Sequence, residues 1–83
     1  LKSYAKIHIG PAEAMKLQLV QSEMLDAVGY DAKSQVLEVI FSKGGRYRYK
    51  EVPAFEYDGL MSAESIGQYM HKRIIGRYEY ERV

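Results

Sequence analysis

The residues best suited to chemistry are Arg46-Tyr47-Arg48-Tyr49-Lys50, where basic and aromatic side chains alternate. In a β-strand, this alternation sends the two tyrosines to one face and the three cations to the other. Outward-facing tyrosines would stack on nucleobases while the cations contact phosphates. Inward-facing tyrosines, which the scarcity of other large side chains favours, would fill a core beneath helices and leave the cations as an exposed row. Either orientation lets one side of the strand contact a polyanion.

Four more cations lie outside this motif, in two places along the chain. Lys43 precedes the motif in a stretch without acids, and Lys72, Arg73 and Arg77 form a second group further along. The net charge of +1 does not by itself indicate a nucleic-acid partner. Because the acids lie before and after the first group, the sequence allows a one-sided positive face on a nearly neutral protein. The alternative is an ordinary solvated surface.

The sequence contains no pattern typical of a catalytic, metal or cofactor site. His8 and His71 are far apart, neither has a partner at metal-ligand spacing, and there is no cysteine. Carboxylate pairs such as Glu56 with Asp58 become catalytic only in a cleft that shifts their pKa values, which a small domain hardly offers. We therefore predict a protein that is not an enzyme and has no cofactor or small-molecule substrate.

The size and composition of the chain restrict its architecture and location. A chain of 83 residues forms one domain at most. The absence of cysteine fits a reducing compartment, and no apolar run approaches the roughly 18 residues that cross a bilayer. These features predict a soluble, cytoplasmic protein without a membrane partner.

The elements that would position the motif are strands first and helices second. Apolar and β-branched runs, separated by turn residues that include Gly44-Gly45, predict strands over 25–30, 35–41 and 46–52. Pro53 and the capping residue Ser65 predict helices over 53–61 and 65–76, the second ending at Gly76. The prediction is an α+β fold in which a three-stranded antiparallel β-meander precedes two helices on one face of the sheet.

The two ends of the chain are harder to interpret. Residues 4–9 alternate like a short strand and residues 11–17 have helix-forming composition, so residues 1–19 are predicted to form an arm or extra element. Residues 20–83 form the predicted domain. Within it, Tyr30, Tyr57 and Tyr69 are expected to be structural, whereas Tyr78 and Tyr80 are expected to be exposed in an extended tail, with packing across the sheet edge as the alternative.

The residues from about 20 to 83 resemble the KTSC domain, which occurs at the C-terminus of some lysyl-tRNA synthetases and alone in bacterial and phage proteins. The ordered segments that carry the resemblance include Val28-Gly29-Tyr30-Asp31, Tyr47-Arg48-Tyr49, Val52-Pro53 and Ser65-Ile66-Gly67-Gln68-Tyr69. The resemblance implies a role in RNA binding and places Tyr47 and Tyr49 in the family motif.

Two functional hypotheses follow from the residues and the resemblance. The first is a module that binds RNA or another single-stranded nucleic acid through the nine residues Lys43, Arg46, Tyr47, Arg48, Tyr49, Lys50, Lys72, Arg73 and Arg77. The second is a protein-interaction or oligomerisation module, in which an open sheet face or edge joins a second copy or another protein.

Overall fold

The structure, a computed structural model, describes residues 16–83. The strand predicted over 4–9 and most of the helix predicted over 11–17 lie outside the described residues. The strands are β1 Leu17–Leu19, β2 Leu25–Asp31, β3 Val36–Phe41, β4 Arg46–Tyr49 and β5 Tyr80–Arg82. Helix α1 spans Ala54–Ser62 and helix α2 spans Ile66–Tyr69, which continues into a π-helical segment, Met70–Ile74.

The strands form one antiparallel sheet in the order β1-β2-β3-β4-β5. The predicted α+β class is confirmed, but the predicted three-stranded meander is only the centre of a five-stranded sheet. The missing strands are three residues each and depend on pairing with β2 and β4, which a local pattern does not reveal. Because β1 begins at Leu17, the sheet also includes the last residues of the segment predicted to be an arm.

The turns between the central strands form where the sequence predicts them. Between β3 and β4, Gly44 and Gly45 have φ angles of 109° and 102°, and Phe41 N–H donates to the Gly45 carbonyl at 3.0 Å. These positive φ angles are open to glycine at little cost. The turn fixes a register in which Glu38 lies opposite Arg48 and Val39 opposite Tyr47.

The core lies between one face of the sheet and the helices. Leu37, Val39 and Tyr49 from the sheet pack with Leu60 of α1 and Met70 of the π-helical segment. The inward orientation of the Tyr47–Tyr49 face is therefore the one that the structure adopts. Strand β4 ends at Tyr49, earlier than predicted, because Glu51 has a φ of 56° and turns the chain away from the sheet.

The helices begin where proline and serine indicate. Pro53 precedes α1, and the Ser65 hydroxyl accepts a hydrogen bond from Gln68 N–H at 3.2 Å. The second predicted helix is not uniform, since Ile75 N–H donates to the Met70 carbonyl at 2.8 Å and widens its last turn. It ends at Ile74, before the predicted stop, because Ile75 is already extended, and Gly76, at a φ of 84°, lies in the turn that follows. No helix among residues 16–83 is long and apolar enough to span a membrane.

Candidate functional site

Two of the three cations in the predicted exposed row are paired with a buried carboxylate. Glu38 is fully buried, and its two oxygens accept hydrogen bonds from Arg46 Nε and from Arg48 Nε, the latter at 2.9 Å. Only 23% and 21% of these two arginine side chains are exposed. The prediction that the row is free for a polyanion is therefore wrong for Arg46 and Arg48, because neighbouring strands place all three side chains on one face.

Lys50, the third member of the row, remains half-exposed. Its ammonium lies 3.6 Å from Glu81 of β5. An exposed pair of this kind contributes little to stability and exchanges readily with other anions. Lys50 alone of the three is thus accessible, but it has no aromatic neighbour on its own face of the strand.

The opposite face of β4 carries a cluster of aromatic rings. Tyr47 lies edge-on to Phe41 with 5.2 Å between ring centroids, and Tyr80 of β5 lies 5.1 Å from Tyr47 and 5.5 Å from Tyr49. Tyr49 is buried, Tyr47 is half-buried, and Tyr80 is 56% exposed. Burial raises the pKa of Tyr49, and its tyrosine neighbours add to that rise. Solvent exposure therefore increases through the cluster, from Tyr49 in the core to Tyr80, whose ring faces solvent.

This aromatic cluster forms one wall of a groove of about 720 Å³. Ile75 and His71, which lies in the π-helical segment, form another part of the lining, with Met24 and Glu23 from the loop before β2. Lys43 lines the groove at the β3–β4 turn, and the guanidinium of Arg82 lies 5.7 Å from the Tyr47 ring centroid. Aromatic faces with cations beside them can hold flat, electron-rich rings that carry negative charge.

The predicted cations of the second group lie outside this groove. Arg73 is 3.4 Å from a Glu56 oxygen and 5.8 Å from the Tyr69 ring centroid, and Arg77 Nε donates to the Lys72 carbonyl at 2.9 Å. All three cations are exposed. The structure thus brings Lys43, Tyr47 and Tyr49 together but separates them from Lys72, Arg73 and Arg77.

Sequence reasoning missed three residues that matter to this part of the molecule. Because β5 pairs with β4, Tyr80 lines the groove and Arg82 lies against the Tyr47 ring, and only the alternation of the tail hinted at a strand. From the sequence, Glu56 is considered only as one of a pair of carboxylates with Asp58, yet it is almost completely buried. Its position four residues before buried Leu60, on the same helix face, was the one available signal.

Glu56 is the polar centre of the helix layer. Tyr69 Oη donates to Oε1 at 2.7 Å and Tyr78 Oη donates to Oε2 at 2.9 Å. The expectation that Tyr78 is exposed is therefore wrong, because its hydroxyl has a buried acceptor. Tyr69 reaches this carboxylate across Gly59, where a Cβ atom would lie 2.8 Å from Tyr69 Cζ.

The electrostatics of this cluster stabilise the ionised carboxylate. Burial by itself would raise the pKa of Glu56, but the hydrogen bonds from Tyr69 and Tyr78 and the charge of Arg73 outweigh it and lower the pKa below 4.5. Burial, and after it the hydrogen bond to Glu56, raise the pKa of both tyrosines, and the charge of Arg73 opposes that rise. The cluster therefore holds the folded state together at neutral pH.

The lowered pKa predicts an acid-sensitive fold. A carboxyl group with a depressed folded-state pKa contributes stability that is complete above its unfolded pKa and is lost as the pH falls through its folded pKa. We expect the urea midpoint of the wild type to fall progressively below about pH 4.5 and that of Glu56→Gln to fall less. Some acid dependence will remain in the variant, because a hydrogen bond from Ser34 also lowers the pKa of Asp31. Equal losses in both proteins between pH 7 and about pH 3 would contradict this assignment.

Comparison with known proteins shows the family. The model of the KTSC domain matches residues 21–78. The chain belongs to the KTSC domain family. A crystal structure of a KTSC domain protein from Yersinia pestis matches this one with a TM-score of 0.83 and 33% identity, over 84% of this chain and 99% of that chain.

Two curated sequences illustrate the settings in which the KTSC domain occurs. An uncharacterized protein of Stutzerimonas stutzeri is 41% identical over 58 residues, which cover 70% of this chain and 82% of that protein. A lysine–tRNA ligase of Nostoc is 34% identical over 70 residues, which cover 84% of this chain but only 12% of the ligase. The KTSC domain thus accounts for most of one relative and a small part of the other.

Residues 16–83 of this KTSC domain contain no cluster of three or more His, Asp or Glu side chains that could hold a metal ion. The groove presents rings, one imidazole, one carboxylate and one cation, Lys43, and a second cation, Arg82, lies against the Tyr47 ring. Such a set suits reversible binding of a ring-containing anion by stacking and charge.

Proposed function

We propose that this KTSC domain is a non-enzymatic module that binds single-stranded RNA in the aromatic groove. The observation that carries the proposal is Tyr80, a ring more than half exposed and set against Tyr47 in a groove that also holds Lys43. A stacked base gains free energy from such a ring whatever its identity, and a nearby cation contacts the adjoining phosphate. The stacking contact at Tyr80 is therefore expected to be weak and independent of the identity of the base.

The cations that could contact the RNA differ from those that the sequence predicted. Arg46 and Arg48 are engaged by Glu38 on the other face, so we assign the phosphate contacts to Lys43 and Arg82. Tyr47 retains a role as a half-buried stacking surface, and Tyr49 supports it from the core. Lys50, Lys72 and Arg77 are exposed and would act only as general attraction for a polyanion.

The relatives support an RNA partner over other polyanions. One relative that contains this domain is a lysine–tRNA ligase, an enzyme whose name identifies RNA as its substrate. A small domain joined to such an enzyme would raise the local concentration of the RNA by adding a second, weak contact. A cytoplasmic location, where that enzyme class works on tRNA, fits the same proposal.

The test is a titration of a short, labelled single-stranded RNA into wild type and Tyr80→Ala. Loss of one stacking surface, worth roughly 1 to 3 kcal/mol per base, should weaken binding about tenfold. Two phosphate contacts on a single strand should also give a log–log salt slope of about −1.4 for the wild type. Anisotropy at two salt concentrations measures both quantities.

Phe55→Ala provides the matched control for this substitution. Phe55 is as exposed as Tyr80, at 60%, but lies on α1 outside the lining of the groove. Its removal should leave the affinity unchanged. Equal affinities for Tyr80→Ala and wild type, or no binding of RNA by the wild type at low salt, would contradict the proposal. In the second case, the protein-interaction hypothesis would be the better one.

A further inference from the structure

A second groove adjoins the first and has a different chemistry. It encloses about 600 Å³, and it shares Glu23, Met24 and His71 with the aromatic groove. Since these three residues line both grooves, an RNA strand that occupies one groove can continue into the other. The second groove runs between the loop before β2 and the start of α2. Its other lining residues are Gln21, Ser22, Glu64, Ser65, Ile66, Gly67 and Gln68.

The polar groups of the second groove divide into those already engaged and those still available. The Ser22 hydroxyl accepts from Met24 N–H at 3.1 Å, and the Ser65 hydroxyl accepts from Gln68 N–H. Within residues 16–83, the side chains of Gln68 and Glu64 make no hydrogen bond or ion pair, and both are exposed. The groove therefore offers an amide and a carboxylate that are ready to pair with an incoming ligand.

The charge of the second groove disfavours phosphate. It contains the carboxylates of Glu23 and Glu64 and, apart from the shared His71, no basic side chain. A phosphate there would be repelled, whereas an exocyclic amino group could donate to a carboxylate or to an amide oxygen. In single-stranded RNA, the base edges are free for such contacts. The part of the strand that fits this groove is thus the edge of a base.

We propose that the second groove holds the base adjoining the stacked one and prefers bases that carry an exocyclic amino group, cytosine over uracil. This inference rests on the function proposed above. Glu64 and Gln68 are the specificity residues: the carboxylate accepts from the amino group, and the amide pairs with the neighbouring ring nitrogen and carbonyl. Uracil presents a carbonyl where cytosine presents the amino group, so it would face the carboxylate with a second acceptor.

Oligocytidine and oligouridine of equal length provide a matched pair of probes, because both rings are single pyrimidines. At one salt concentration, we expect wild type to bind oligocytidine about tenfold more tightly than oligouridine, the effect of one charge-assisted hydrogen bond. The Glu64→Ala/Gln68→Ala variant should lose that preference without losing affinity for oligouridine. The control variant Gln18→Ala/Glu79→Ala removes an exposed amide and an exposed carboxylate outside both grooves and should keep the preference.

Three outcomes would overturn the inference, and the first two can be distinguished from failure of the proposed function. Equal binding of both oligomers by wild type, while Tyr80→Ala still weakens both, would remove the second groove as a base site and leave the proposed function intact. A preference for cytidine that survives Glu64→Ala/Gln68→Ala would do the same. Failure of both oligomers to bind would overturn both proposals together.

Discussion

Replacing Arg46 and Arg48 together by methionine is expected to lower the free energy of unfolding by about 3 to 5 kcal/mol. Methionine keeps most of the apolar stem that covers Glu38 but removes both of the guanidinium groups that its oxygens accept from. A fully buried carboxylate without a partner must either remain charged at high cost or bind a proton. Urea unfolding at neutral pH, followed by circular dichroism, measures the loss.

Lys50→Met is the control for this loss, and Glu38→Met is the rescue. Lys50 lies on the same strand and pairs with Glu81, but half of its side chain is exposed, so its replacement should change the stability by less than about 1 kcal/mol. Adding Glu38→Met to the double variant should recover most of the stability, because an apolar group replaces the stranded charge. A double variant as stable as Lys50→Met would show that Glu38 does not depend on the two arginines.

Glu56→Ala is the second large loss expected, at about 2 to 4 kcal/mol. The substitution removes the acceptor shared by Tyr69 and Tyr78 and the carboxylate that faces Arg73, and it leaves a cavity beneath α1. Near-ultraviolet circular dichroism should also lose intensity, since both tyrosine rings would lose a fixed position. Chemical unfolding gives the size of the effect.

Asp58→Ala separates a specific effect of Glu56 from a general effect of charge on α1. Asp58 lies on the same helix but is exposed. Alanine has the higher helix propensity, so the stability should stay the same or rise slightly. If both variants lost the same stability, the buried cluster would have no special part in the fold.

The central strands and turns could be predicted because local signals determine them. Paired glycines at 44 and 45, the β-branched run of β3 and the serine cap of α2 each act within a few residues. Strands β1 and β5 could not be predicted in the same way. Each is three residues long and is extended because it pairs with another strand: β1 pairs with the next strand, with Leu19 opposite Ala27, and β5 pairs with the distant β4, with Tyr80 opposite Tyr49. The information therefore lies in the pairing and not in the three residues themselves.

The two-residue alternation of a strand predicts the face on which a side chain lies but not the residues that it contacts. The candidate site could therefore be predicted only in part. The shared face of Tyr47 and Tyr49 followed from the two-residue period. Whether the cations are free or paired depended on the side chains of the neighbouring strand. Glu38 lies opposite Arg48 because Phe41 pairs with Gly45 at the turn, whereas counting outward from a two-residue Gly44-Gly45 turn would have placed Glu38 opposite Glu51. The burial of Glu56 could not be predicted from a local pattern either, since it depends on where the hydroxyls of Tyr69 and Tyr78 arrive from another part of the chain.

Close contact between Gly59 and Tyr69 constrains how positions 59 and 69 can change during evolution. Any side chain there would displace the ring of Tyr69, whose hydroxyl passes over the glycine to reach its acceptor. A lineage that acquires a larger residue at 59 must first have shortened residue 69 and found another donor for the carboxylate. The order of those steps matters, because the reverse order passes through an intermediate that clashes. Position 59 should therefore change only after position 69 has changed, although the two are ten positions apart along the chain.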